Sequence, residues 1–340
     1  MDSLTHIALG ACIGDAVFSK KIGKKALLLG AFAQSFPDVD GIAALWLSPT
    51  ANLLFHRSIT HSFVFVALAS PILAWTFNKG FSGLPLSRIR LTLFFALQMA
   101  LHVLLDTCNA YGTQLFWPFS SERFSFDLLF VADPFFSLPL LISVIAFLVL
   151  KKHHPLRKKW FLMGTLITSL YVIYAVSNKL SVNQQIEKTL KKQQIPYTTF
   201  ISQPTAFNSW LWYVLVPFDN GYYVGYRSVF DAPEYPTPFT YYPRNEHLLA
   251  SSGSPVEIER LKVFADGYYT VVQQGEALLF NVLRFGKIAG WDQQDSRFTF
   301  HYYLNDSSDN STVMQRGRLQ EWNRDTMARM VNRIKGIQLK

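Results

Sequence analysis

The first 178 residues are a succession of apolar runs joined by short basic connections. That pattern points to a helical membrane domain, because hydrocarbon leaves each segment to satisfy its own backbone polar groups. Four runs, 59–77, 91–108, 129–150 and 160–177, approach the roughly 20 residues a span needs. Two earlier runs, 4–18 and 26–36, are shorter and suit short or tilted spans or a re-entrant hairpin. The expectation is about six membrane segments. Beyond residue 178, polar residues, tyrosines and turn formers take over, so the mean hydropathy of +0.15 averages two unlike halves.

The formal charge of +9 would ordinarily raise nucleic-acid binding. Here the excess sits mostly in the connections, where it sets topology, so nucleic acid is not expected as a partner and membrane lipids are. Lys20, Lys21, Lys24 and Lys25 fill the first connection; Lys79, Arg88 and Arg90 the third; Lys151, Lys152, Arg157, Lys158 and Lys159 the fifth. The second and fourth hold only Arg57 and Arg123. Twelve basic residues against two place the odd connections in the cytoplasm, and the N-terminus and the region after Asn178 outside it. In a bacterial inner membrane that makes residues 179–340 a periplasmic domain. Cys12 and Cys108 are the only cysteines and form no disulfide framework.

Seven ionisable residues fall at the ends of these runs: His6, Asp38, Asp40, His56, His61, His102 and Asp106. Charge topology puts all seven on the outer face. Ionisable groups near hydrocarbon are rare unless they bind something, and imidazole and carboxylate are the ligands of divalent metals. His102 and Asp106, four residues apart, share one helix face and suit two ligands of one ion, or a ligand and its orienter. Asp38-Val39-Asp40 follows Pro37, where the chain leaves its helix; a pair of capping aspartates is the alternative. In His56-Arg57-Ser58-Ile59-Thr60-His61-Ser62, Ser58 or Thr60 can cap a helix starting near His61, and Arg57 offers a bidentate donor to an anion. An interfacial turn with snorkelling basic residues is the bland reading.

These segments also carry a resemblance. Met-Asp-Ser-Leu-Thr-His at 1–6, Phe-Pro-Asp-Val-Asp at 36–40, the heptamer 56–62 and His102-x-x-x-Asp106 resemble the YdjM-type membrane-bound metal-dependent hydrolases, as do Tyr111-Gly112-Thr113 and Trp117-Pro118-Phe119. The resemblance covers roughly residues 1–178 and implies an inner-membrane enzyme that hydrolyses its substrate with bound metal. A more distant similarity is to the zinc-dependent phospholipase C and P1-nuclease group. It implies metal ligation by His6, Asp38, His61, His102 and Asp106. That group's later histidine and glutamate ligands have no counterpart here, which implies one or two ions, with Asp127 or Asp133 as a substitute ligand.

The remaining histidines, His153, His154, His247 and His301, read as structural. Residues 179–193 suggest an amphipathic helix leaving the membrane. Tyr- and Val-rich runs near 197–201, 210–216, 222–230, 268–274, 277–285 and 298–304 suggest antiparallel strands, and 255–265 and 318–335 suggest helices. Leu319, Trp322, Met327, Met330 and Ile334 would form the buried stripe of the last one. Residues 179–340 thus read as a soluble α+β domain, with Trp210, Trp212 and Trp291 as core or interfacial anchors.

Taken together, the sequence predicts a hydrolase holding a divalent metal, with zinc the best match and magnesium or manganese admitted. His6, Asp38, Asp40, His61, His102 and Asp106 are the expected ligands. His56 is a further ligand or a base, and Arg57 holds an anionic, phosphoester-like or lipid-linked substrate. The rival readings are a metal transporter or sensor and a structural membrane protein without catalysis.

Overall fold

A computed structural model of the chain describes residues 1–80, 86–251, 254–293, 295–304 and 322–337. They fall into two compact units. One comprises Met1–Leu45, Phe55–Ala175 and Ala206–Asn208; the other comprises Trp46–Leu54, Val176–Thr205 and Ser209–Lys340.

The first unit opens with a helical hairpin, α1 (Ser3–Ile22) and α2 (Lys25–Ser35). Asp2 caps α1 by accepting from the Thr5 amide at 3.1 Å. Gly23, at φ 61°, ends it in a backbone region that costs a side chain dearly. The two helices touch through glycines: a Cβ on Gly10, Gly14 or Gly30 would fall within 3 Å of the partner helix's backbone. Pro37 breaks the helical register after α2, and the chain continues as a 3-10 segment, η1 (Phe36–Leu45), that carries Asp38 and Asp40. After α3 (Pro49–Phe55), which belongs to the second unit except for Phe55, the first unit resumes with a short 3-10 turn, η2 (Ile59–His61), then α4 (Phe63–Gly80), α5 (Arg88–Asp106), α6 (Pro134–Val149) and the part of α7 (Leu156–Lys192) up to Ala175. One cluster around Phe18, Phe94, Phe95 and Met99 joins α1 and α2 to α4 and α5. A second, with Ala11, Cys12, Leu140 and Phe147, seats α1 against α6 and α7.

Six membrane segments are not supported. Among the described residues, only α5 and α7 are long and apolar enough to cross a membrane, with a third if α3–η2 and α4, bent by 62°, count as one broken span. The apolar runs are helices, but α2 has 11 residues and α6 has 16, about 16 and 24 Å at 1.5 Å per residue. α1 has the length, yet it buries Thr5, His6, Asp15 and Ser19 and ends on Lys20 and Lys21. Hydrophobic runs count residues; spanning also depends on what else the helix carries.

Asp15 is paired in the interior with Arg157, whose Nε donates to Oδ2 at 3.3 Å and whose Nη2 reaches Oδ1. The Arg157 Nη1 donates to the carbonyls of Phe147 and Leu150 at 2.8 and 2.7 Å, so four of the five guanidinium donors are engaged. Removing one partner leaves the other charge uncompensated. Asp15→Ala is therefore expected to cost about 3–5 kcal/mol, read as a lower unfolding midpoint in detergent, with Asp15→Ala/Arg157→Met regaining part of it. An unshifted midpoint in Asp15→Ala would show that the pair contributes nothing.

In the second unit the distal part of α7 buries Val182, Ile186 and Leu190 against Trp212, Val214 and Val216. No proline or glycine interrupts the chain near Asn178, so the helix expected at 179–193 is simply the end of α7. The first sheet is antiparallel, in the order β1 (Ile201–Pro204), β2 (Leu211–Phe218), β3 (Gly221–Ser228), β4 (Phe239–Pro243). The second sheet runs β5 (Tyr269–Gln274), β6 (Ala277–Lys287), β7 (Phe298–Tyr303). β4 was not expected from the sequence, because its approach through Pro233, Pro236 and Pro238 looks like a connector; a proline-flanked strand fits its place at the sheet edge. α8 (Pro255–Phe264) and α9 (Arg324–Ile334) complete the unit. Of the stripe expected in the last helix, Met330 is buried and Met327 exposed, while Leu319 lies outside the described residues.

Candidate metal centre

The end of α5, the two 3-10 segments and the start of α1 deliver the site. α5 brings His102 and Asp106 to one face a turn apart, η1 brings Asp38, and η2 brings His61. Capping differs from expectation: the Ser62 hydroxyl accepts from the Phe65 amide at 3.1 Å at the start of α4. Thr60 turns inward instead, donating to Asp40 Oδ2 at 3.0 Å.

His61 Nε2, His102 Nε2, Asp38 Oδ1 and Asp106 Oδ2 converge. The two imidazole nitrogens are 3.1 Å apart. His61 Nε2 is 3.5 Å from the Asp38 oxygen and 3.3 Å from the Asp106 oxygen, and His102 Nε2 is 3.5 Å from each. Five of the six separations among these atoms thus lie between 3.1 and 3.5 Å, and all four atoms lie within 4.8 Å of one another; a regular tetrahedron with edges of about 3.4 Å has its corners about 2.1 Å from its centre, which is the distance at which zinc holds imidazole nitrogen and carboxylate oxygen. Two imidazoles and two carboxylates are also a common donor set for a borderline divalent ion. The Asp106 Oδ2 is buried with no hydrogen-bond partner among the described residues. The residues therefore fit a metal.

Around these four, other predicted residues fill supporting places. Asp40 Oδ2 lies 3.4 Å from His61 Nδ1, the arrangement that orients a ligating histidine from behind. His6 Nε2 lies 3.2 Å from Asp106 Oδ1, and its ring stacks on His102 with centroids 3.8 Å apart. The Met1 amino nitrogen reaches the same Asp106 oxygen. His56 Nδ1 sits 3.1 Å from Asp40 Oδ1, and with Asp38 and Asp40 it forms a second donor set that shares Asp38. Burial pushes the Asp38 and Asp40 carboxyls up, but hydrogen bonds from His102 and His61 to Asp38, and from His56 and His61 to Asp40, hold both below the usual carboxylate range.

Arg57 is buried, with its Nε 3.2 Å from Asp106 Oδ2. Asp127 and Asp133 stand elsewhere: Asp127 accepts from Ser125 Oγ at 2.6 Å, and Asp133 caps α6 and takes the Tyr171 hydroxyl at 2.7 Å. Neither belongs to a candidate metal group among the described residues. Asn109, which accepts from Arg57 Nη1 at 2.9 Å, escaped the sequence reading. Its only signal was its place three residues beyond Asp106.

A helical unit with apolar helices of membrane length and a His/Asp cluster able to hold a metal ion, joined to a unit of antiparallel sheets, defines the class. The YdjM inner membrane protein family matches residues 1–182, and the chain belongs to that family. The inner membrane protein YbcI of Escherichia coli (strain K12) is 34% identical over 124 residues, which is 36% of this chain and 69% of that protein. The uncharacterised protein YfhP of Bacillus subtilis (strain 168) is 26% identical over 242 residues, 66% of this chain and 68% of that one. No solved structure gives a significant match. Family membership and the apolar helices together support an inner-membrane location.

Proposed function

We propose that this chain is a metal-dependent hydrolase that cleaves a phosphoester, best a lipid-linked one, at the outer face of the inner membrane. The observation that carries this is the near-tetrahedral convergence of His61, His102, Asp38 and Asp106. Zinc suits the set. The second set, Asp38, Asp40 and His56, offers room for a second ion. A bound divalent ion supplies polarisation of a phosphoryl oxygen and acidifies water at neutral pH.

The chain's own residues do the rest. Asp40 and His6 hold His61 and Asp106 in place, and Arg57 meets the anionic oxygens. His56, the most exposed of the histidines around the cluster, takes up a proton, steadied by Asp40. Val39, Ile42 and Leu45, on the segment that carries the aspartates, are exposed, as are Phe116, Phe119 and Phe126 in the loop after α5. Apolar surface on the elements that hold the site favours an amphiphilic substrate over a free phosphate ester.

A panel of phosphodiesters and phospholipids tests this on purified, metal-loaded protein. Hydrolysis is expected to fall by about a thousandfold or more in Asp106→Ala. Wild-type activity in that variant would rule the site out. Bound metal without hydrolysis of any substrate in the panel would favour transport or sensing. A reporter fused to the C-terminus should read as extracytoplasmic, and a cytoplasmic readout overturns the outer-face assignment.

A further inference from the structure

We propose that Asn109 and Arg57 together form an anion subsite beside the metal centre, built for the phosphate group of the substrate. The proposal rests on the phosphoester reading and adds a residue to it. Asn109 is 1% exposed. Its Oδ1 accepts from Arg57 Nη1 at 2.9 Å and from the Tyr111 amide at 3.1 Å. Two donors on one oxygen fix which way the amide points. Its Nδ2 is then a buried donor with no acceptor among the described residues. Buried donors are almost always satisfied, and an orphan next to a charged group marks a place where an acceptor arrives.

Arg57 is held with matching care. Its φ is 62°, a conformation that costs a non-glycine residue energy. The backbone is fixed there on both sides: its amide donates to Asp40 Oδ2 at 3.0 Å, and its carbonyl accepts from the Gln114 amide at 3.1 Å. The guanidinium lies over the Tyr111 ring, 5.1 Å from its centroid. Strain of this kind, over-determined by its surroundings, collects at ligand sites. The guanidinium and the amide are in direct contact, close enough for one tetrahedral anion to reach both. Because Arg57 Nε also lies 3.2 Å from Asp106 Oδ2, that anion adjoins the metal centre. Phosphate has enough oxygens to serve Arg57, Asn109 and the adjoining centre together; a carboxylate has two.

Asn109→Ala removes the donor without adding charge, and Asn109→Asp replaces it while adding a negative charge beside Arg57. The latter keeps an oxygen for Arg57 and the Tyr111 amide but replaces Nδ2 with an acceptor. Calorimetric titration of the full, metal-loaded chain in detergent with inorganic phosphate is the measurement, with elemental analysis run alongside. Phosphate affinity is expected to fall by about tenfold or more in Asn109→Asp and in Asn109→Ala, with metal content at the wild-type level. Affinity within about twofold of wild type in Asn109→Ala, or no phosphate binding by the metal-loaded wild type, overturns the proposal. Metal content reads the hydrolase assignment separately, since a metal-free wild type would count against that reading and not against the subsite. A second arm uses dodecyl phosphate: tighter binding than inorganic phosphate identifies a lipid headgroup as the source, and equal binding a free phosphate.

Discussion

Metal content is expected to fall by about one ion per chain in His102→Ala, measured by elemental analysis of detergent-purified protein. His102 Nε2 forms three of the near-tetrahedral edges, so its loss opens one corner of the cage. A tetrahedral site that loses a ligand in a buried position, where water cannot easily replace it, gives up most of its affinity. Asp40→Ala provides the graded comparison. Asp40 stands behind His61 and orients it, and removing such a partner weakens metal binding by about 10–100-fold without abolishing it. A stepped series, with wild type above Asp40→Ala and Asp40→Ala above His102→Ala, is the signature of a built site. Equal metal content in all three, or none in the wild type, would reduce the cluster to a set of charge pairs.

The second large effect is expected at Gly30. Replacing a mid-helix glycine by alanine ordinarily stabilises a helix by about 1 kcal/mol. Here the sign reverses, because the new Cβ would fall within 3 Å of the Gly10 carbonyl and the Gly14 Cα. Neither obstacle is the end of a flexible side chain, so the helices must separate. Overpacking of this kind costs about 1–3 kcal/mol and more when backbone must move, which exceeds the propensity gain. Gly30→Ala should therefore lower the unfolding midpoint, and Gly30→Leu should abolish a monodisperse species in size-exclusion chromatography. The damage would also reach the metal centre. α1 carries His6 and α2 leads directly into the segment with Asp38 and Asp40, so the hairpin sets the distance between them. Metal content in Gly30→Ala should fall although no ligand is touched. A stabilised Gly30→Ala protein would show that the hairpin is looser than its geometry indicates.

The positions of the helices were legible because apolar runs and basic connections are local features. Each apolar run contains a helix or lies mostly within one, although the run 129–150 starts five residues before α6 and the run 59–77 is divided between η2 and α4. The count of spans was not legible. Whether α1 and α6 cross a membrane depends on the polar groups they bury and on the lengths at which neighbouring contacts end them. The strand pattern of the second unit was readable from alternation and turn signals, except that β1 (Ile201–Pro204) begins only where the strand expected at 197–201 ends, and at β4, where prolines masked an edge strand.

By itself the sequence determined the residue types of the centre and their positions at helix ends, since a histidine or aspartate at the end of an apolar run is visible without folding. Only the tertiary structure decided how they divide. His61, His102, Asp38 and Asp106 converge in one candidate donor set and Asp38, Asp40 and His56 in another, whereas His6 contacts Asp106 from outside both. Asn109 could be found only there. Apart from the pairing of His102 with Asp106, which their spacing of four already encodes, these roles are set by distances of about 3 Å between side chains up to a hundred residues apart.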